Sequence, residues 1–428
     1  MHWNPWFKLD KAIKDKIAIG IGALLDWYDF ALYGFFASIF AKQFFPQDNY
    51  DLAIFASFAT WFIGFAVRPI GAIIFGHLGD KYGRVFCFRI TSVLIFIPVF
   101  LFPLLPTYAQ IGSSATYLLI FLRIIQGICI GGEFAGNIIY LCESSPKEKR
   151  YFFGSIGSCA GSFGILMASI TATIIYAVLP EPLVATIGWR IAFSFAVVLS
   201  IISYKMRKTA LETSIFKQLK DKNKIVQFPL KTSVHENWCE YLIVLGILYL
   251  HATSFYMIFI FLPTYLKQYT EMSNLASLAN NSGLLLLRLF IIPIIGTLCD
   301  RKGNGLKFIV AGSIAFLIFS YPMFMMINSP ESAYIITGII MLSLFTTLNA
   351  GSIPGFLISL APANTRYTLF SLAFNIGYGL FGGIVPMISI YLINASGNKL
   401  APAIYLSIAS IITLGTCFYI YRRNKKYV

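Results

Sequence analysis

Six charged residues stand deep inside long apolar runs of this chain: Asp26, Asp29 and Glu133 against Arg68, Arg123 and Arg288. Charge in hydrocarbon is costly, so each of them is a functional candidate by default. Asp26, Asp29 and Tyr33 are spaced i, i+3, i+7 and share one helix face. Arg123, Gln126, Glu133, Asn137 and Tyr140 form a second polar stripe, interleaved with Gly127, Gly131, Gly132 and Gly136, which let helices approach closely. A carboxyl in such a dry site can load a proton on one side of a membrane and release it on the other. Asp29 or Glu133, with Asp26 beside them, are therefore the candidate proton carriers. Arg123 is the first candidate for gripping a substrate carboxylate, and Arg68 the second. The competing reading is that the acids only neutralise Arg68 and Arg123. The two overlap, because coupling can work by breaking such a pair. Trp27, Tyr28, Tyr33, Tyr256, Phe374 and Tyr378 could form a cation–π box around a quaternary ammonium. With 16% aromatics in the chain, any one ring is more simply read as packing. Whether Arg288 faces a cavity is open at this point.

These residues need membrane helices to position them. The chain has 428 residues, 57% hydrophobic and only 12% charged, against about 45–50% and about 25% in an ordinary soluble protein. A net charge of +15 would suggest a nucleic-acid binder in a soluble chain. Here the charges are too few and the apolar surface too large, so no nucleic-acid partner is expected and the lipid bilayer is. The seven cysteines include no CxxC and the four histidines no HExxH, so neither a metal site nor a disulfide framework is expected. Runs of roughly 20 apolar residues, enough for a core about 30 Å thick, fall at Ile17–Ala41, Leu52–Phe75, Val85–Leu105, Tyr117–Leu141, Tyr151–Leu179 and Trp189–Met206. Six more follow at Tyr241–Tyr265, Asn274–Leu298, Leu306–Ile327, Ala333–Leu360, Leu369–Ile393 and Ala401–Tyr421. The first run is too long for a cleavable signal and contains Asp26 and Asp29. An N-terminus in the cytoplasm places most lysines and arginines there. Asp48, Asp51, Glu181, Glu271 and Glu331 fall on the opposite side. Both termini are then cytoplasmic. Residues 207–238 form a basic polar linker, with an amphipathic piece on the inner leaflet as the alternative to a plain connection. It separates residues 1–206 from residues 239–428, six spans each.

The two halves echo each other. Arg68, Gly76, Leu78, Asp80 and Gly83 recur 220 positions later as Arg288, Gly296, Leu298, Asp300 and Gly303. Pro146, Arg150 and Tyr151 recur 216 positions later as Pro362, Arg366 and Tyr367. Parallel repeats about an axis along the membrane normal are a transporter architecture, with the binding site between the halves near the midplane. The turn Gly76-His77-Leu78-Gly79-Asp80-Lys81-Tyr82-Gly83-Arg84 is sharp and charged. Asp80 can cap the helix that follows or pair with Arg84, and such links could lock the halves together. With Gly76, Gly79, Gly83, Asp300 and Arg301 they form a candidate gate.

This turn resembles the signature loop of the major facilitator superfamily, with Gly296–Gly303 as its degenerate second copy. Asn304 replaces the closing arginine there, so a salt-bridge lock should be weaker in the second half. Asp26-Trp27-Tyr28-Asp29-Phe30 with Tyr33-Gly34, Arg68-Pro69, Arg123-Ile124-Ile125-Gln126-Gly127 and Gly131-Gly132-Glu133 resemble the metabolite:proton symporter branch. Trp189-Arg190-Ile191, Leu211-Glu212-Thr213 and Arg366-Tyr367 with Phe374-Asn375 continue the likeness from the first span to the last. Within the branch, the strongest resemblance is to proline/glycine-betaine:proton symporters. Three departures stand out. Asp26 replaces a common glutamate, and Ser214 a common proline. The chain also ends soon after Arg422-Arg423, so osmotic sensing through a long C-terminal extension is not expected.

The resemblance implies an all-α membrane protein with twelve helices in two six-helix bundles. It also implies alternating-access symport of a small zwitterion or carboxylate with H+ in a bacterial inner membrane, functional as a monomer and without a bound cofactor. Arg68, Trp27, Tyr33, Gln126, Asn137, Asn375 and Tyr378 would join Arg123 in substrate binding. Other facilitators (dicarboxylate or sugar uptake, or drug efflux) are the alternative. An intramembrane enzyme using Asp26 and Asp29 on a magnesium-diphosphate is a further one, and lacks the second Asp-rich motif that such enzymes need.

Overall fold

A computed structural model describes residues 10–46, 50–270 and 272–423. Asp48, Glu271 and the expected basic residues before residue 10 and after Arg423 lie outside the described residues. Every regular element among the described residues is helical. The membrane helices are α1 (Lys11–Phe35, continued by Ala37–Phe44), α2 (Tyr50–Ala66 and Arg68–Tyr82), α3 (Arg84–Leu101), α4 (Ser113–Glu143), α5 (Arg150–Val178) and α6 (Trp189–Arg207). After two short helices, Ser214–Asp221 and Pro229–Glu236, come α7 (Trp238–Tyr256, continued to Tyr269), α8 (Asn274–Lys302), α9 (Gly305–Ile327), α10 (Ser332–Leu360), α11 (Arg366–Asn375, continued to Ser396) and α12 (Ala401–Arg423). Eleven of these are long and apolar enough to cross a bilayer on composition alone. The exception is α1, where Lys11, Lys14, Asp15 and Lys16 share the helix with Asp26 and Asp29. Its apolar stretch is diluted by charge, yet it packs within the first six helices like the others.

Local sequence explains the breaks. The α2 helix restarts at Arg68 with Pro69 in its first turn, where the missing N–H costs nothing. Wide π-helical turns, with i→i+5 hydrogen bonding, interrupt α7 at Met257–Phe261 and α11 at Ile376–Gly382. Such turns are frequent at functional sites, because they swing a few side chains off the regular helix face. Gly83, between α2 and α3, has φ +116°, a region that favours glycine.

Three placements differ from expectation. Glu143, read as a loop residue, occupies the last turn of α4 and is buried. Arg207, read as the start of the linker, ends α6 with its guanidinium inside the first six helices. The linker itself is not a plain connection: Phe216 and Ser233 on its two short helices are buried against the protein. Thr213 caps the first of them by accepting from the Phe216 N–H at 3.2 Å.

Candidate functional site

Two buried ion pairs engage the candidate proton carriers Asp29 and Glu133. Arg123 on α4 donates from Nη1 to Asp29 Oδ2 at 2.8 Å. Its guanidinium lies 4.3 Å from the Tyr33 ring centroid and 4.5 Å from that of Phe102. Tyr33 donates its hydroxyl to the Ser57 carbonyl at 3.1 Å, which fixes that wall. Gln126 is fully buried one turn along from Arg123. Two turns further, Glu133 pairs with Arg207 and accepts from Thr91 Oγ1. Arg207 also donates to Ser92 Oγ at 3.1 Å and to the Ile19 carbonyl at 3.0 Å. Glu133 therefore has a cation partner that the sequence spans hid, since Lys205-Met206-Arg207-Lys208 reads as ordinary positive charge at a helix end.

Asp26 and Arg68 are different. Asp26 is 3% exposed, and its Oδ2 has no hydrogen-bond partner among the described residues. Arg68 is 3% exposed, like Asp26, and makes no ion pair within 4.0 Å among the described residues. Its guanidinium sits over Phe65 at 4.1 Å and Phe30 at 4.3 Å, with Trp27 at 5.9 Å. Aromatic faces hold a cation without neutralising it.

On the other side of Trp27 is a small cavity, about 30 Å³, between the two halves. Its polar side chains include Arg288, His251, Ser158 and Ser162, and its walls include Trp27, Phe255, Phe374 and Tyr378. Arg288 donates from Nε to Ser162 Oγ at 3.2 Å, across the two halves. Phe374 and Tyr378 stack at 4.4 Å with planes only 10° apart. Trp27 meets Phe255 edge-on at 5.5 Å. The wide turns of α7 and α11 flank this wall: Phe255 precedes one and Tyr378 lies inside the other.

Of the expected substrate residues, Trp27 and Tyr378 line the cavity; Arg123, Arg68, Tyr33, Gln126, Asn137 and Asn375 do not. Asn375 instead donates to the Gly131 carbonyl, tying α11 to α4. Tyr28 points away, donating to the Ala192 carbonyl at 2.9 Å. Asn137 is fully buried with neither amide atom partnered among the described residues. His251 went unnoticed in the sequence, although it is an ionisable group in the middle of the seventh apolar run.

The candidate gate is a crossed pair of helix caps. Asp80, at the end of α2, accepts from the N–H groups of Tyr367 and Thr368 at 3.1 and 2.8 Å, in the first turn of α11. Asp300, at the end of α8, accepts from Tyr151 and Phe152 at 2.9 Å each, in the first turn of α5. Asp80 thus caps a helix of the opposite half, not the one that follows it, and also pairs with Arg84 at 3.3 Å. The close approach requires small residues: a Cβ on Gly76 would sit 2.8 Å from Thr368 Cα, and one on Gly79 at 2.8 Å from the Tyr367 ring. Behind Asp80, Glu143 binds Arg84 at 3.0 Å and Arg366 at 2.9 Å, and accepts from Thr213 Oγ1 at 3.0 Å. Arg301 is exposed and Asn304 caps its own helix at Lys307, so no comparable charge network surrounds Asp300 among the described residues.

Sequence and structure comparisons agree with this architecture. A family model for the Major Facilitator Superfamily matches residues 19–386. The chain is 33% identical over 418 residues to the proline/betaine transporter of Salmonella typhimurium, covering 96% of this chain and 83% of that protein. It is 31% identical to the glycine betaine/proline/ectoine/pipecolic acid transporter OusA of Dickeya dadantii, covering 96% and 82%. The proton:xylose symporter XylE superposes with a TM-score of 0.75 at 15% identity, covering 96% of this chain and 95% of that one. The fucose:proton symporter FucP of E. coli gives 0.66 at 14%, covering 95% and 97%. With two six-helix halves, a cavity between them and crossed caps at one face, the chain belongs to the Major Facilitator Superfamily, alongside the proline/betaine transporters.

Proposed function

We propose that this chain is a proton-coupled symporter that takes up a small zwitterion, of the proline or glycine betaine class, by alternating access. It would sit in a bacterial inner membrane with both termini in the cytoplasm, and work as a monomer. The observation that carries the reading is the cavity between the halves, where one arginine, Arg288, faces a wall of aromatic rings. A zwitterion needs a cation for its carboxylate and a diffuse negative surface for its ammonium; a guanidinium and ring faces supply those. The relatives' names point the same way.

For coupling, the unpaired acid is the best placed carrier. Asp29 and Glu133 are held by Arg123 and Arg207, and must break an ion pair to exchange a proton. Asp26 has no such partner within 4.0 Å among the described residues, and it neighbours Trp27, which lines the cavity. Filling the cavity would press on Trp27 and so on the Asp26–Arg68 region behind it. The crossed caps at Asp80 and Asp300 hold the candidate cytoplasmic face closed in this state, and their release would open it.

The test is uptake into proteoliposomes under an imposed pH gradient, with labelled proline, glycine betaine and 2-oxoglutarate. Accumulation of proline or glycine betaine that collapses with a protonophore is the expected result. Accumulation of none of the three overturns the reading.

A further inference from the structure

The positions that build the Glu133–Arg207 pair recur in the second half, but the pair does not. Thr91, Ser92, Glu133 and Arg207 return, at the repeat offsets of 220 and 216, as Ala311, Gly312, Asn349 and Arg423. Gly312 and Asn349 still meet, since a Cβ on Gly312 would sit 2.8 Å from Asn349 Oδ1. Neither hydroxyl nor carboxylate stands at these positions, and Arg423 lies instead 3.8 Å from Glu240, on a largely exposed side chain. The second six helices assemble without the pair, so bundle packing does not require it.

Arg207 lies on the route by which a proton would leave Asp26. It ends α6 at the face of the crossed caps, and its guanidinium lies across α1. Nε donates to the Ala18 carbonyl at 3.4 Å and Nη2 to that of Ile19 at 3.0 Å. A Cβ on Gly22 would overlap the guanidinium, so the glycine is what admits it. Ala18, Gly22 and Asp26 are spaced by four and form one row along α1. The guanidinium therefore occupies that row one turn from Asp26, on the side of the caps. Asp26 Oδ2 has no hydrogen-bond partner among the described residues. The charges around Asp26 are Glu133, Arg207, Arg68 and Asp29. Of the two acids, Asp29 follows Asp26 along α1, away from the caps, whereas Glu133 stands with Arg207 on their side.

We propose that Arg207 is an inward proton gate: by holding Glu133 in an ion pair in this closed state, it denies Asp26 a proton acceptor on the side of the caps. The proposal rests on Asp26 as the carrier. When the pair opens, the Asp26 carboxyl gives its proton to the Glu133 carboxylate, so that Asp26 becomes the anion and Glu133 the acid. Glu133 then gives the proton to water at the cap face and returns to Arg207. A carboxylate paired with an arginine is a poor proton acceptor. The closed pair thus prevents protons from crossing without substrate.

Proton flux into substrate-free proteoliposomes tests this apart from uptake. The full chain is reconstituted around a pH-sensitive dye, the outside is acidified, and potassium with valinomycin clamps the voltage. Arg207→Gln should acidify the interior roughly tenfold or more faster than the unmodified chain, because a buried ion pair suppresses protonation of its acid by at least that factor. Adding Glu133→Gln should return the flux to the level of the unmodified chain, and Arg207→Lys should not leak. If Arg207→Gln does not fold, Gly22→Ala carries the test. Its Cβ displaces the end of a flexible side chain and leaves both charges in place. It should leak too, and Glu133→Gln should silence that leak, whereas structural damage would leak with or without Glu133. No flux above the unmodified chain in the folded variants, or flux that persists with Glu133→Gln, overturns the gate. Flux that Glu133→Gln stops but Asp26→Asn leaves intact keeps the gate and overturns Asp26 as proton donor, so the carrier reading fails separately.

Discussion

Asp80 and Asp300 stand 220 positions apart and make the same contact: each accepts two backbone N–H groups from the first turn of a helix in the opposite half. A carboxylate at a helix N-terminus satisfies donors that have no partner within the helix and meets the positive end of its dipole. The contact is crossed, so each half holds the other. The two caps differ in what stands behind them. Asp80 is buried with Arg84, Glu143 and Arg366, whereas Asp300 is partly exposed and has no ion pair among the described residues.

That asymmetry makes Asp80→Asn the more damaging substitution. Hydrogen bonds to a charged acceptor contribute about 1.5–3 kcal/mol, so losing the charge should shift the balance toward separation of this face by about tenfold or more. Cys142 and Cys299 lie buried near the two caps and report on it. Labelling both with a permeant maleimide, read residue by residue by mass spectrometry, should rise in Asp80→Asn and rise less in Asp300→Asn. Equal labelling in the two variants, or the reverse order, would mean that the charge network does not strengthen the first cap.

Glu143 makes a second comparison possible, because 216 positions on stands Ser359. Glu143→Gln leaves Arg84 and Arg366 buried with one fewer negative partner. Stripping a partner from a buried ion pair costs about 3–5 kcal/mol. A marked fall in the thermal unfolding midpoint is expected. Ser359 only donates to the Phe356 carbonyl of its own helix, so Ser359→Ala should leave the midpoint within a degree or two. A small effect at Glu143 would show that its arginines find other partners.

Close helix approach gives a third test. A Cβ at Gly71 would collide with the Ile128 carbonyl group where α2 crosses α4. Backbone cannot move aside as the end of a flexible side chain can, and overpacking a tight contact costs about 1–3 kcal/mol or more. Gly71→Ala should therefore lower the yield of monodisperse protein, whereas Gly34→Ala, with open space around its Cβ position, should not. Equal yields would mean that the α2–α4 crossing is looser than it stands here.

Much of this was legible in the residues. The repeat pairs Asp80 with Asp300 and Tyr151 with Tyr367 mark the two ends of each crossed cap, because a functional contact between repeats constrains both partners in both copies. The partners themselves were not legible. Nothing in a hydropathy run says that an aspartate will reach past its own turn to a helix some 290 residues on. Arg207 was hidden for a related reason: basic residues at a span end read as sidedness, and only the fold shows one turning inward to Glu133. His251 was passed over because a neutral histidine leaves no mark on charge counts. Arg123 drew the role of carboxylate ligand from its position among polar residues, yet Asp29 already occupies it, while Arg288 reaches the cavity.

The three buried acids can be separated by what each substitution strands. Asp29→Asn and Glu133→Gln take a partner from Arg123 and Arg207 respectively, so each should destabilise the fold as well as lower uptake. Asp26→Asn leaves no arginine newly unpaired within 4.0 Å among the described residues, and an amide occupies nearly the same volume. It should fold at the level of the unmodified chain and lose accumulation driven by a pH gradient. Counterflow exchange, in which labelled substrate enters against unlabelled substrate with no net proton movement, should survive. The pairing at Glu133 can be checked independently: Glu133→Gln with Arg207→Gln should recover stability relative to either change alone. If Asp26→Asn accumulated substrate against its gradient as well as the unmodified chain does, Asp26 would not be the carrier. If Glu133→Gln lost accumulation while folding normally and keeping exchange, the coupling proton would belong to Glu133, released when the Arg207 pair opens.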